Sequence, residues 1–228
     1  MNSMPTAENR SRGVYQAHRD RQRRRILDAA EKLFDDRGID RVTMADITSA
    51  AGLRASTTYE YFSNKDEIVW AMVEQFMVES AGSAEEAIGR VRGPALDRIA
   101  ALLDWMGQEL VSNPQRVRFL AQFDALYARD WTPERLLAIE KRITPAGFAG
   151  MAALIQEGIA DGSLRPDLDP NLTMHSVLNA AIGAQRRLAS LGYRVEMEYG
   201  QPVERLFRET TRLILLGLRE PAGPASLI

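Results

Sequence analysis

Cysteine is absent from the sequence, and histidine occurs only twice. Without cysteine the chain has no disulfide, no thiol nucleophile and no cysteine-based zinc site, which favours a reducing compartment. His18 lies in a basic segment, His175 stands alone on an apolar helix, and residues 167–171 (DLDPN) lack the glycine and terminal glutamate of a calcium loop. Neither a phosphate-binding glycine loop nor a nucleophile motif is present. We therefore expect no metal ion, no cofactor and no catalytic residue.

Long apolar runs are missing as well. No segment approaches the ~20 consecutive apolar residues of a membrane-spanning helix, and the first 25 residues lack the apolar stretch of a signal peptide. Hydrophobic residues nevertheless make up 45% of the 228 positions, which is sufficient for one large or two modest cores. We expect a folded cytoplasmic protein that does not enter a membrane.

A net positive charge is lacking overall, but basic residues are concentrated near the N-terminus. The net charge is −2, yet residues 10–25 contain seven arginines and a single acidic residue, Asp20. Such a cluster can neutralise phosphate groups locally while the remainder of the chain stays acidic. Equally, the part from Arg10 to His18 could be a solvated, disordered tail. The acidic total therefore does not exclude a nucleic-acid partner.

Helical periodicity dominates the sequence and nothing reads as a sustained alternating strand, so we predict an all-α fold. From Asp20 the apolar residues follow a 3.6-residue period until Gly38, where a left-handed cap would end the first helix. A fourth helix begins after Asn64 and fades into a loose stretch before Pro94. Five later helices are expected at about 95–112, 114–130, 133–162, 170–191 and 203–219. Pro145 could break the helix over 133–162 in two.

Residues 42–61 form the most informative segment. Thr43 is a good N-cap with Asp46 at the third helical position, which predicts a second helix over about 44–51. Gly52 makes the turn, and a third helix covers about 55–61. Two short helices joined by a glycine turn and packed on a longer first helix make a helix-turn-helix, whose second helix lies in the major groove of DNA.

At this point the sequence resembles a known family. The segment "RRRILDAAEKLFDDRGIDRVTMADITSAAGLRASTTYEYFSNKDEIVWAMV" looks like the DNA-binding domain of the TetR family of bacterial transcriptional repressors. The resemblance covers about residues 20–70 without gaps. The matching positions are Ile26, Ala29, Ala30, Phe34, Gly38, Thr43, Ile47, Ala51, Gly52, Leu53, Tyr59, Tyr61, Phe62, Lys65 and Ile68.

The resemblance implies a domain plan. A three-helix helix-turn-helix domain over residues 19–70 would be linked by the fourth helix to a helical ligand-binding and dimerisation domain over residues 71–220. A flexible basic tail over residues 1–18 and a flexible tail over residues 221–228 would flank the two domains. The protein would act as a ligand-responsive repressor that binds a near-palindromic double-stranded DNA operator as a homodimer.

Nine residues are expected at DNA. Thr43 presents a hydroxyl and free backbone N–H groups at a helix start, a natural phosphate contact, and Lys65 does the same at the fourth helix. Tyr59 and Tyr61 cannot share one face of a short helix, so one packs or contacts sugar and thymine methyl while the other reaches phosphate. Base reading would fall on the start of the third helix, with Ala45 nearby. The full set is Thr43, Ala45, Arg54, Ala55, Ser56, Thr57, Tyr59, Tyr61 and Lys65.

Two residues depart from the family pattern. Arg54 stands where the family usually has a capping Ser or Thr, so a cap worth ~1 kcal/mol is missing. Its guanidinium could bind guanine, clamp a phosphate or remain solvated. Thr58 usually corresponds to a larger apolar residue, which predicts slightly loose packing. In the preceding arm we expect the arginines at positions 19, 21 and 23 to reach a phosphate backbone or minor groove, while those at 24 and 25 are as readily ordinary exposed residues.

In the second domain a small, mainly apolar effector is expected among aromatic and polar residues, with Trp105, Phe123, Tyr127 and His175 as candidate contacts. An apolar stripe through Leu178, Ala181 and Leu188 and another through Leu213 favour a four-helix dimer interface over helices 170–191 and 203–219. The alternative for both stripes is the core of one subunit.

Two other classes of function remain as alternatives. A helical interaction protein without DNA binding would need no contact residues in the helix-turn-helix segment, yet Thr43, Tyr59, Tyr61 and Lys65 are all present. An enzyme would have to use an acid and base pair such as Glu157 and Asp161, four apart on a helix, which is more often a solvated face. A salt-dependent shift in the mobility of DNA when the protein is added would distinguish a DNA-binding protein from these alternatives.

Overall fold

The computed structural model describes residues 7–143 and 147–219. Within these ranges every regular element is a helix and no strand occurs, which confirms the predicted all-α fold. None of the described helices is both long and apolar enough to cross a membrane. The helices are α1 (Ala7–Arg37), α2 (Met44–Ala50), α3 (Ala55–Tyr61), α4 (Lys65–Arg90), α5 (Ala95–Ser112), α6 (Pro114–Tyr127), α7 (Pro133–Ile143), α8 (Gly147–Ala160), α9 (Pro170–Leu191), α10 (Arg194–Tyr199) and α11 (Val203–Leu218).

The chain forms two compact units that divide inside α4, between Val73 and Glu74. The boundary predicted from the sequence, between residues 70 and 71, falls in the same helix. The N-terminal unit contains α1 to α3 and the first turns of α4, and the C-terminal unit contains the rest of α4 and α5 to α11.

The first helix begins earlier than its periodicity predicts. It starts at Ala7 rather than about Asp20, so residues 7–18, predicted as a flexible tail, are helical. Residues 15–21 are exposed, and a helix that is solvated on all sides carries no apolar stripe by which the sequence could reveal it. The helix ends at Arg37, directly before Gly38, as predicted. The remaining predicted tails, residues 1–6 and 221–228, lie outside the described residues.

The core of the N-terminal unit comes from one stripe of α1 and from the helices that follow it. Ile26, Ala30 and Phe34 of α1 are fully buried, and Ile47 of α2 and Ile68 of α4 are buried too. Each buried Ile or Phe side chain contributes roughly 1.5–3 kcal/mol. Because α2 and α3 are only seven residues each, tertiary packing rather than helix propensity must hold them in place.

The C-terminal unit is built around α5. This helix packs against α6, α8, α9 and α11, and buries Ile99, Leu102 and Leu103 among them. Gly107 allows α11 to approach closely, because a Cβ there would lie 3.1 Å from a ring carbon of Phe207. The packing places α11 between the core and the protein surface.

Two helices in this unit differ from the sequence prediction. The helix predicted over 133–162 is described as α7 and α8, on either side of Pro145, which lies outside the described residues. The six-residue α10 was not predicted. It buries only Val195 and is otherwise polar or exposed, so it is too short for the periodicity on which the prediction relied.

Candidate nucleic-acid interface

The start of α2 is held by a reciprocal cap. The amide of Asp46 donates to Thr43 Oγ1 at 3.2 Å, and the amide of Thr43 donates to Asp46 Oδ2 at 2.9 Å. The Thr43 hydroxyl also donates to Asp46 Oδ2 at 2.6 Å. This confirms Thr43 as the N-cap and adds a constraint, because a phosphate would compete with Asp46 for the hydroxyl proton. The first-turn amides of Met44 and Ala45 have no acceptor within the helix and face its N-terminal end.

The same cap also lowers the pKa of Asp46. Hydrogen bonds from the Thr43 side chain and backbone, with a smaller contribution from the Arg37 charge, hold the pKa of Asp46 below its usual range. The carboxylate therefore stays ionised at neutral pH. A negative charge at the positive end of α2 is favourable for the helix, although it also sits near the proposed phosphate contacts.

Arg54 occupies the N-cap position of α3 without capping it. Its backbone is extended, with φ −78° and ψ 150°, and its side chain makes no capping hydrogen bond. This confirms the missing cap predicted from the sequence. Arg54, Ala55 and Ser56 are exposed and Thr57 is half-buried. Four successive residues at the start of α3 therefore present side chains at, or partly at, the surface.

Thr58 is fully buried, and its hydroxyl donates to the Arg54 carbonyl at 3.4 Å. The hydroxyl thus has an acceptor within α3 even though the family pattern favours a larger apolar residue at this position. Of the nearby positions that match the family, Ile47, Phe62 and Ile68 are buried, and Leu53 is half-buried.

The two tyrosines of α3 face different surroundings. Tyr59 is 53% exposed, whereas Tyr61 is half-buried and has the Arg19 guanidinium 5.6 Å from its ring centroid. This difference agrees with the expectation that they do not share a face. Tyr59 offers a free aromatic edge, while the ring of Tyr61 is already in contact with α1.

Lys65 is half-buried at the start of α4. Its ammonium donates to the Ile39 carbonyl at 2.7 Å and, more weakly, to the Asp40 carbonyl at 3.5 Å. An ammonium has three donors, so one remains for a phosphate oxygen. The sequence indicated a phosphate contact at Lys65 but not this structural bond to the loop between α1 and α2.

The arginines of α1 fall into two groups. Arg19 lies over Tyr61, Arg23 lies 5.3 Å from the ring centroid of Phe62, and Arg25 donates to the Ala51 carbonyl. All three are exposed overall, as are Arg21 and Arg24. Arg19 and Arg23, predicted in an arm that reaches DNA, thus contact aromatic rings at the end of α3, while Arg21 points outward.

The four residues predicted to bind an effector are not gathered around one described cavity. Phe123 and Tyr127 are buried and stack with their ring centroids 5.3 Å apart. Trp105 is half-buried against the C-terminal core, and His175 is exposed on α9. A cleft of about 440 Å³ lies instead between α5 and α11 and contains none of the four. Its lining, not anticipated from the sequence, is Leu103, Asp104, Gly107, Gln108, Val111, Ser112, Glu204, Phe207, Arg208 and Thr211.

The stripes predicted for the dimer interface are divided between core and surface. Leu178, Ala181 and Leu188 of α9 are buried within the subunit, so this part of the predicted interface belongs to the core. Periodicity shows that a face is buried but not which partner buries it. On α11, by contrast, Leu213 is 57% and Leu216 47% exposed, while the opposite face of the same helix buries Phe207, Thr211 and Leu218.

Comparisons with known proteins agree with this arrangement. Residues 26–72 match the family model for bacterial regulatory proteins of the tetR family. The HTH-type transcriptional repressor KstR2 of Mycolicibacterium smegmatis is 26% identical over 157 residues, which are 64% of this chain and 69% of that protein.

Two solved structures are similar across most of the chain. A TetR/AcrR family transcriptional regulator from Thermobifida fusca is 26% identical with a TM-score of 0.62, over 88% of this chain and 100% of that one. The fatty acid degradation regulator FadR from Bacillus halodurans, 20% identical, shares the fold with a TM-score of 0.64, over 88% and 97%. These similar proteins are described as regulators rather than enzymes. Residues 26–72 are therefore a DNA-binding domain of the tetR family, and the chain is a DNA-binding transcriptional regulator that is similar over most of its length to regulators of that family.

Proposed function

We propose that the protein is a ligand-responsive repressor that binds a near-palindromic operator as a homodimer. The observation that carries the proposal is the exposed start of α3, where Arg54, Ala55 and Ser56 lie at the surface above a buried Thr58. A short helix that is anchored on one side and exposed at its N-terminal end fits the recognition helix of a helix-turn-helix.

The proposed contacts divide into phosphate binding and base reading. The amide groups at the start of α2, together with Thr43 and Ala45, and the free donor of Lys65 bind phosphates. Tyr61 adds its hydroxyl to the backbone contacts. Bases are read from α3, and its candidates are Arg54, Ala55, Ser56, Thr57 and the exposed ring of Tyr59.

A dimer is proposed because one seven-residue recognition helix reads too few base pairs for a specific site. The exposed Leu213 and Leu216 of α11 support a surface that a second copy covers. On α9 the exposed Ala180 and Gly183 are small enough to allow a close approach of another helix. A twofold pair of these subunits would read a palindrome.

The proposed effector is a small, mainly apolar molecule in the C-terminal unit. The stacked Phe123 and Tyr127, with Trp131 edge-on at 5.7 Å, support an aromatic wall, and Trp105 and His175 remain candidate contacts. Because α4 is one continuous helix from Lys65 to Arg90, it belongs to both units and could carry a change from one to the other. A ligand with ~3 kcal/mol preference for one conformation would change operator affinity roughly a hundredfold.

Selection of bound duplexes from a random pool tests this function directly. We expect an enriched, near-palindromic sequence whose affinity falls with salt, and a dimer on that site by light scattering. A screen of apolar small molecules for release of the selected duplex then identifies the effector. A protein that shifts no duplex at low salt would instead be a helical interaction module, and the proposal would be wrong.

A further inference from the structure

Three arginines of α1 contact the helix-turn-helix at two places. At ~100° per residue, Arg19 and Arg23 lie in line with the buried stripe of α1, and Arg25 lies to one side of that stripe. Arg19 and Arg23 contact the rings of Tyr61 and Phe62 at the end of α3. Arg25 reaches the turn that joins α2 to α3. These side chains therefore contact both the turn that precedes α3 and the C-terminal end of α3.

The contact of Arg25 is the most specific of the three. Its Nη2 donates to the carbonyl oxygen of Ala51 at 2.7 Å. Ala51 is the C-cap of α2, so its carbonyl is one of the groups at a helix end that have no partner within the helix. A charged donor gives such a carbonyl a stronger partner than water provides.

The guanidinium also lies against the turn itself. Gly52 has φ +63°, a left-handed conformation, and a Cβ on Gly52 would lie 3.2 Å from Arg25 Nη2. Within the turn, the Gly52 amide donates to the Ser49 carbonyl at 3.0 Å and the Leu53 amide to the Thr48 carbonyl at 3.2 Å. The turn is thus fixed from inside by its own backbone and from outside by α1.

We propose that Arg25 is a positioning residue for operator reading. By binding Ala51 and packing on Gly52 it fixes the angle between α2 and α3, and so the angle at which α3 enters the major groove, without itself binding a phosphate. The proposal rests on the DNA interface proposed above. It assigns Arg25 a role different from that of the neighbouring Arg24, which is also exposed but lies ~100° away around α1.

The first test compares Arg25→Ala with Arg24→Ala, since both remove one positive charge from adjacent positions. Affinity is measured for the duplex that the wild type selects and for a scrambled duplex of equal length. For Arg25→Ala we expect a loss of about tenfold on the selected duplex, little change on the scrambled one and an unchanged salt slope. For Arg24→Ala the ratio of the two affinities should stay at the wild-type value.

A second substitution perturbs the same turn without changing charge. Gly52→Ala should lower the affinity ratio in the same way, because of its positive φ and its contact with Arg25. The double variant should lose less than the product of the two single losses, since both act through one turn. Independent, multiplicative losses would contradict the proposal.

Hydrogen exchange in the free protein tests the positioning role without DNA. The Gly52 and Leu53 amides should exchange faster in Arg25→Ala than in wild type or Arg24→Ala, while amides near Phe34 in α1 keep their protection. This readout stands even if the wild type selects no sequence, so failure of the proposed function and failure of the positioning role are distinguishable.

Arg25→Gln, paired with Arg24→Gln, replaces the alanine variant if that variant does not fold, because glutamine keeps two of the three methylenes of arginine but is too short to reach Ala51. The same drop in affinity ratio is expected. Two results would overturn the proposal. One is an equal loss on both duplexes with a salt slope reduced by about one, which indicates a phosphate contact. The other is unchanged exchange at Gly52 and Leu53.

Discussion

The two units of the molecule carry their functional residues in different ways. In the N-terminal unit the candidate contacts lie at helix starts, where Thr43 and Arg54 occupy N-cap positions and Lys65 begins α4. In the C-terminal unit the candidates came from apolar and aromatic periodicity, and Phe123, Tyr127 and Leu178 are buried. The residues at a helix end are recognised from a few neighbouring positions in the sequence. An apolar face predicts only that the face is buried, and does not show whether the same subunit, a second subunit or a ligand buries it. The comparison can be tested by substitutions in each unit.

The largest effect is expected from Leu178→Glu. The side chain of Leu178 is 9% exposed within the subunit core, so the substitution buries a charge without a partner and should cost several kcal/mol. We expect loss of the folded state by circular dichroism and thermal denaturation. A folded variant with near-native stability would show that Leu178 does not belong to the core.

Leu213→Glu is the matched change on the surface of the same unit. Because Leu213 is 57% exposed, the variant should fold with nearly unchanged helix content. If a second copy covers this face, light scattering should report monomers, and operator affinity should fall by at least tenfold. A folded, stable dimer would move the proposed interface away from α11.

In the N-terminal unit, Lys65→Ala should affect both stability and DNA binding. The bond from its ammonium to the Ile39 carbonyl predicts a loss of roughly 1.5–3 kcal/mol in unfolding free energy. A phosphate contact in addition predicts a salt slope reduced by about one. Lys32→Ala, at an exposed position of α1, is the control. Unchanged stability with a reduced slope would assign Lys65 to DNA alone.

Arg54→Ser should separate capping from base reading. The extended backbone of Arg54 suits a capping hydroxyl, so serine should raise the unfolding free energy by ~1 kcal/mol. The same variant, like Arg54→Ala, should lose its preference at one base position of the selected duplex. Repeating the selection with each variant checks this. An equal loss of affinity for every operator variant would remove Arg54 from base reading.

The smallest effect concerns Asp46 and pH. Its pKa is lowered in the folded protein by the Thr43 hydrogen bonds. The folded state therefore binds fewer protons than the unfolded state, and the resulting stability is present above the ordinary value of 3.8 and lost as the pH falls through the lowered pKa. Denaturation midpoints between pH 7 and pH 3 should fall slightly more steeply for wild type than for Asp46→Asn. Parallel curves would indicate that the cap contributes no such linkage.

The fold of the N-terminal unit could be predicted well because its signals are local. Thr43 with Asp46 marks the start of α2, and Gly52 marks the turn, each through a geometry that few residues satisfy. The same signals did not reveal the bond from Lys65 to Ile39 or from Arg25 to Ala51. Each of these joins residues 26 positions apart, and a single sequence carries no record of which distant carbonyl a cation will meet.

The C-terminal unit shows where periodicity is insufficient. The helices that carry apolar stripes, such as α5 and α9, were found within a residue or two of their ends. The short α10 has no stripe and was missed. The exposed Leu213 and the buried Leu178 looked alike in the sequence, because both lie in apolar stripes and the difference depends on which helices pack beside them.

In a dimer, the two faces of α11 would make the stability of the subunit depend on its concentration. One face completes the subunit core through Phe207, Thr211 and Leu218, and the other exposes Leu213 and Leu216. If a second copy covers the exposed face, each association also secures the last helix of the core, so the thermal midpoint must rise with protein concentration. A regulator built in this way becomes less stable as it becomes scarce, and in a cell its turnover would depend on its own abundance.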